Sequence, residues 1–264
     1  MFGKGIIRLP LWMNVTGTAA LCIYVWLLPF LARWTDKNSD RELCKTMVQC
    51  SNGQNFAELT GSEIGCGCGE GIFGQSACPV GDYGYTISGY IVTPPATALM
   101  AILSALPILS MWQLGSAEPP SGLTIPAPSS LLALNFLSMA AFQLFYVLFL
   151  ICTYCIFNVA HEVVVIAFVV AGVIHYGTIA FLQVSYYHDR AGAALITLLA
   201  SIAVAGFLGL AIAGAMFQDG RYNAAYWPWA CECIALTAGF SIAPLVMWID
   251  GTGKSNLLTA STVL

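Results

Sequence analysis

Long apolar runs alternate with short polar stretches along the whole chain. A helix needs roughly 20 apolar residues to cross about 30 Å of hydrocarbon, and six runs are long enough. They lie at about 11–32, 94–114, 130–156, 162–185, 191–217 and 226–249. The pattern therefore predicts an all-α fold, a six-helix transmembrane bundle that forms a single domain over residues 1–264.

Composition and charge narrow the classes of function. Hydrophobic residues make up 58% of the chain and charged residues only 8%, against about 25% in soluble domains. The net charge is −4 and no basic patch is present, which excludes nucleic-acid binding. No Lys or Arg lies inside a predicted span, which excludes a retinal Schiff base and argues against voltage sensing. Motifs for nucleotide, zinc or serine-hydrolase chemistry are absent, so we predict no cofactor, no metal and no catalytic residue.

The segment 33–93 contains five of the ten cysteines. Its cysteines are Cys44, Cys50, Cys66, Cys68 and Cys78. A disulfide-stapled module of irregular or short-strand structure is expected, in an oxidising lumenal or extracellular compartment, with one thiol left over. A metal site is disfavoured because Cys66 and Cys68 lack the usual zinc spacing and the segment contains no His. Six spans then place both termini in the cytosol, where Asn14 of an N-x-Thr sequon would stay unglycosylated.

The fifth span has small residues at every fourth position. They are Thr197, Ser201, Ala205, Gly209 and Ala213. Small residues at this spacing are typical of close helix packing in membranes. We therefore predict that these five residues form a contact face of the bundle.

Ionisable side chains inside apolar spans are rare and usually face a partner or a pathway. His161 and Glu162 open the fourth span, and Glu232 lies one to two turns into the sixth, at a similar depth. With Ser88 near the same surface, they form a predicted lumenal layer in which a His/Glu pair could share a proton. An interfacial histidine and a solvated Glu162 are the alternative interpretations. His175 is 14 residues beyond His161, about 21 Å along a helix, and is interpreted as a packing residue.

Three stretches resemble a known family. They are YGYTISGYIVTPPATALMAIL, NVAHEVVVIAFVVAGVIHY and AYWPWACECIALTAGFSIAPLVMWID. Each is similar to the corresponding part of the Frag/DRAM/Sfk superfamily, six-span proteins that include damage-regulated autophagy modulators and a GPI-anchor remodelling factor. The resemblance implies that Ser88, His161, Glu232 and Asp250 are the family-typical polar positions. It also implies lysosomal, Golgi or plasma membranes, and roles in autophagy, lipid-anchor processing or signalling.

The leading hypothesis is a non-enzymatic membrane modulator that binds a membrane lipid or another membrane protein through the His/Glu layer. Two alternatives stay open at this point. One is an enzyme acting on lipid head groups, with Glu232 and His161 as acid and base. The other is a small proton- or cation-coupled transporter or channel that uses Glu232.

Overall fold

A computed structural model describes residues 9–35, 87–91, 94–115, 126–152, 158–188, 192–218 and 227–261. These ranges form six long helices and one short one, without a strand. The helices are α1 (Leu11–Thr35), α2 (Ile87–Tyr90), α3 (Pro94–Gly115), α4 (Ser129–Ile151), α5 (Asn158–Ser185), α6 (Ala193–Gln218) and α7 (Trp227–Ser261). The predicted all-α bundle is confirmed. The cysteines proposed to form disulfides, Cys44, Cys50, Cys66, Cys68 and Cys78, lie outside the described residues.

Each long helix contains 18 to 27 residues that are apolar enough to cross a membrane. The protein is therefore an integral membrane protein. Helix α4 ends at Ile151 and α5 begins at Asn158, whereas the predicted spans end at about 156 and begin at about 162. The run after Ile151 stays apolar, so hydropathy alone does not mark where the helix stops. The earlier start of α5 places His161 and Glu162 inside its first turns.

Helix α7 lies at the centre of the bundle. It contacts α1, α2, α3 and α6, whereas α4, α5 and α6 pack consecutively around the remaining side. Two thirds of its membrane-spanning stretch is buried, the largest share of any of the six. Polar groups on the buried face of α7 are therefore surrounded by protein.

Aromatic rings fill the space between α4, α5, α6 and α7. Phe142 of α4 is fully buried, with its ring centroid 4.8 Å from that of Phe168 and 5.9 Å from that of Phe207. Tyr146, one turn further along α4, stacks 6.1 Å from Phe149 and hydrogen-bonds Ser104 of α3 at 2.6 Å. Aromatic pairs at these separations add to the energy of simple area burial. This cluster supports one side of the site described below.

A buried amide joins α1, α3 and α7 at the other end of the bundle. The Asn14 side chain donates to Met247 Sδ at 2.9 Å and accepts from Ser110 Oγ at 2.5 Å. Asn14 is 0% exposed, which leaves no room for a glycan on its sequon in the folded chain. The amide instead serves as a polar contact between helices, a common use of Asn in membrane proteins.

The contact face of α6 differs from the predicted ridge. Ser201 and Ala205 are exposed, whereas the buried face is built by a different set of residues. That face consists of Ile196, Ala200, Ala203, Phe207 and Leu210. The reason is geometric: a four-residue step advances about 40° beyond a full turn, so a ridge from Thr197 to Ala213 winds about 160° around the helix. Of the predicted five, Ala213 is buried and Gly209 faces Cys231 of α7.

Gly206 marks the closest approach of α6 to α7. A Cβ there would lie 2.8 Å from both the Ala235 nitrogen and the Cys231 oxygen, which are backbone atoms. Gly206→Ala should therefore destabilise the protein by about 1–3 kcal/mol, since the helices must separate. Gly177→Ala on α5 is the matched control, because a Cβ there meets nothing within 4 Å. It should change stability by at most about 1 kcal/mol, in the favourable direction expected for Ala in a helix.

Thermal unfolding of the full chain in detergent measures both variants. Equal melting temperatures for the two glycine variants would contradict the close approach of α6 and α7.

Candidate functional site

The short helix α2 is packed into the bundle at the end where α5 and α7 begin. Ile87 is 1% exposed and lies in the core with Ile91. The chain is then fixed at the start of α3, because Thr97 Oγ1 donates to the Ile91 carbonyl at 2.5 Å. The segment that precedes α3 thus enters the protein interior, and its polar backbone needs partners there.

Glu232 of α7 supplies one of these partners. Its carboxylate accepts a hydrogen bond from the backbone N–H of Ile87. The side chain is 6% exposed, and α7 is held against α1 at this depth because Trp229 Nε1 donates to the Val25 carbonyl at 3.1 Å. Glu232 therefore satisfies a backbone donor that has been taken out of water.

His161 of α5 binds the side chain of the next residue of α2. Its Nε2 lies 2.9 Å from Ser88 Oγ, and its Nδ1 lies 2.5 Å from the Cys152 carbonyl oxygen just beyond the end of α4. The ring also packs against Phe149, with centroids 5.3 Å apart. One imidazole thus connects α2, α4 and α5. We call Ile87, Ser88, Cys152, His161 and Glu232 the polar clasp.

A small cavity lies beside the polar clasp. It is lined by Ile87, Tyr146, Phe149, Val165, Phe168, Phe207, Glu232 and Leu236. Its volume of about 10 Å³ is close to the minimum that holds one water molecule. Apart from Glu232 and Tyr146 the lining is apolar, so the carboxylate faces a mostly hydrophobic recess.

The structure brings together Ser88, His161 and Glu232 of the predicted layer. His161 and Glu232 do not pair with each other in this conformation, because His161 Nε2 hydrogen-bonds Ser88 and Glu232 accepts from the Ile87 N–H. Glu162 is buried, which disagrees with its interpretation as a solvated residue. The layer is therefore closed to solvent in this conformation.

Two backbone groups of the polar clasp could not be predicted from the sequence. They are the Ile87 N–H and the Cys152 carbonyl. Every residue carries these groups, so only the fold selects them. The sequence indicated these groups only indirectly, because Ile87 is next to Ser88 and Cys152 lies nine residues before His161. The sequence shows the Ile87-Ser88 pair and the apolar run up to Cys152. It does not show that these residues contact Glu232 and His161.

His175 lies apart from the polar clasp. It is as buried as His161, at 3% exposure each, and its Nδ1 is 3.3 Å from the Asn135 carbonyl oxygen. Its ring packs 4.8 Å from Tyr176 and 6.4 Å from Phe142. These contacts agree with its interpretation as a packing residue.

Within the ranges that the structure describes, no group of three or more His, Cys, Asp or Glu could hold a metal ion. The described cysteines Cys22, Cys152, Cys231 and Cys233 are free thiols.

The chain matches no protein-family model, no curated protein and no solved structure. The resemblance to the Frag/DRAM/Sfk superfamily therefore stays a prediction.

Replacing Glu232 tests whether the Ile87 N–H depends on it. Glu232→Leu leaves a buried donor without an acceptor and should destabilise the protein by about 1–3 kcal/mol. Glu232→Gln keeps a carbonyl oxygen within reach and should lose less than half as much. Thermal unfolding in detergent reports stability, and hydrogen exchange of a peptide covering residues 87–91 reports the bond itself. Exchange that stays at the wild-type rate in Glu232→Leu would show that the carboxylate is not the acceptor.

Proposed function

We propose that this integral membrane protein is a modulator in which the polar clasp binds the head group of a membrane lipid. The observation that supports it is the placement of two buried ionisable side chains against α2, the end of the long segment between α1 and α3. Polar groups at membrane depth are retained mainly for a function or a specific partner. A lipid that replaced α2 at these side chains would reposition that segment.

The chemistry of the polar clasp limits the kind of head group. A carboxylate only accepts hydrogen bonds, and Nε2 of a neutral imidazole whose Nδ1 bears hydrogen also accepts. Glu232 and His161 would thus present two acceptors once α2 moves away. The matching head group carries donors, as the ammonium of phosphatidylethanolamine or the hydroxyls of phosphatidylinositol do. Phosphatidylcholine has no donor and should bind weakly.

The family resemblance points in the same direction. It suggests an endomembrane setting such as the lysosome, or the plasma membrane, and a role in autophagy or lipid-anchor processing; the cytosolic termini are predicted from the cysteine-rich segment instead. A second membrane protein that inserts a donor-rich segment would use the same two acceptors. The lipid is preferred here because His161 and Glu232 lie near the starts of two membrane-spanning helices, where a span meets the lipid head groups.

Two substitutions should shift lipid association in opposite directions. Ser88→Ala removes one hydrogen bond that closes the polar clasp, worth about 1 kcal/mol, so a ligand that competes with α2 should bind about fivefold more tightly. Glu232→Gln replaces one of the two acceptor oxygens with an N–H₂ donor and should weaken binding of phosphatidylethanolamine by about tenfold. Asp250→Asn, at the far end of the α7 span, is the control and should change nothing.

Native mass spectrometry of the full chain with phosphatidylethanolamine, phosphatidylinositol and phosphatidylcholine measures these shifts. Equal binding of all three lipids, or binding that ignores both substitutions, would remove the polar clasp from lipid recognition.

A further inference from the structure

The hydrogen bonds around His161 have a defined direction. A carbonyl oxygen can only accept, so the 2.5 Å contact with Cys152 places the hydrogen of the neutral ring on Nδ1. Nε2 then carries the lone pair. At 2.9 Å, the Ser88 hydroxyl must donate its hydrogen to that lone pair. Ser88, His161 and the Cys152 carbonyl thus form a hydroxyl, a base and a group that orients the base.

From this geometry we propose that Ser88 is a nucleophile activated by His161, and that its substrate is a carboxylic ester of a membrane lipid. A hydroxyl within hydrogen-bond reach of an imidazole, itself oriented by a third group, is the arrangement used in nucleophilic catalysis. The order of roles is that of a serine hydrolase, with a main-chain carbonyl in place of the usual carboxylate. This activity departs from the non-enzymatic role that the family resemblance implies, and it does not depend on the head-group binding proposed above.

The surroundings favour an ester with a long acyl chain. Val165 and Phe168 follow His161 by four and seven residues, so they lie on the same face of α5 and line the cavity beside the polar clasp. Phe149 and Leu236 extend this apolar wall. A phosphate would meet no basic side chain in this wall, and a sugar would meet few hydrogen-bonding groups. A hydrocarbon chain matches the apolar lining.

The reaction balances without a cofactor. Ser88 Oγ attacks the ester carbonyl carbon, and its proton passes to His161 Nε2. The carbon–oxygen bond to the lipid alcohol then breaks, and the alcohol leaves with the proton from Nε2. Water repeats the sequence on the acylated Ser88 and releases a fatty acid, which restores the hydroxyl. Glu232 is a positioning residue here, because its bond to Ile87 fixes the register of the adjacent Ser88.

Substrate entry requires displacement of α2. Ser88 is 6% exposed and His161 3%, so the dyad is covered in this conformation. α2 forms part of this cover, because Ser88 contacts His161 directly. A helix this short has little hydrogen bonding of its own, and two of its contacts with the bundle are those to Glu232 and His161.

His175 offers a matched control within the same helix. It has the same exposure as His161, and a main-chain carbonyl also lies near its Nδ1. No hydroxyl hydrogen-bonds it in the described part of the chain. A general effect of replacing a buried histidine in α5 would therefore appear at both positions, whereas loss of a base would appear only at His161.

An alkyl fluorophosphonate, which phosphonylates activated serines with loss of fluoride, tests the proposal on the purified full chain in detergent. Peptide mapping of the wild-type chain should place the adduct on Ser88, and Ser88→Ala should abolish it. His161→Asn retains an N–H near the Cys152 carbonyl but has no atom at the Nε2 position. It should slow labelling at least about a hundredfold, the usual contribution of a general base. His175→Asn should label at the wild-type rate.

Several results would overturn the proposal. They are an unlabelled wild-type chain, an adduct mapped to another residue, or labelling of His161→Asn at the wild-type rate. The last would show that the contact is only a structural hydrogen bond. Melting temperatures and gel filtration of each variant separate loss of fold from loss of reactivity, and mapping on the wild-type chain tests the site without any substitution.

Discussion

A backbone N–H that is carried into the interior of a membrane protein must find an acceptor, and the Ile87 N–H finds it in Glu232. Left unmet in the protein interior, this donor would cost about 1–3 kcal/mol. An apolar residue in place of Glu232 would leave α2 without this partner. The bond therefore determines where the chain enters the bundle, and through the next residue it brings Ser88 to His161.

The central position of α7 makes this arrangement possible. Helix α7 is enclosed by α1, α2, α3 and α6, so the Glu232 side chain lies within the protein. Gly206 and Gly209 of α6 allow the α7 backbone to approach closely on the side of Cys231 and Ala235. The close packing of α6 on α7 and the burial of Glu232 thus both depend on the central position of α7.

Hydropathy sufficed to predict the bundle, because each span must be apolar over its whole length. It also located His161 and Glu232, since ionisable residues stand out against such a background. Hydropathy could not predict the hydrogen-bond partners of these two residues. Glu232 bonds a main-chain N–H and His161 bonds a main-chain carbonyl, and no residue type marks either group. The ridge on α6 shows the opposite error: a regular spacing was visible, but a four-residue period drifts around the helix and cannot keep one face.

The position of α2 decides which chemistry the polar clasp can perform. With α2 in place, the Ser88 hydroxyl is aligned on His161, but no lipid can reach it. With α2 displaced far enough to admit a head group, Glu232 and His161 become acceptors, but Ser88 leaves its base. Binding and ester cleavage therefore place different demands on one short helix: the first needs it to leave, whereas the second needs a smaller shift that uncovers the dyad and keeps the 2.9 Å contact. A lipid whose acyl chain enters along Phe149 and Val165, beneath α2, would meet the second demand without breaking the bond between Ile87 and Glu232.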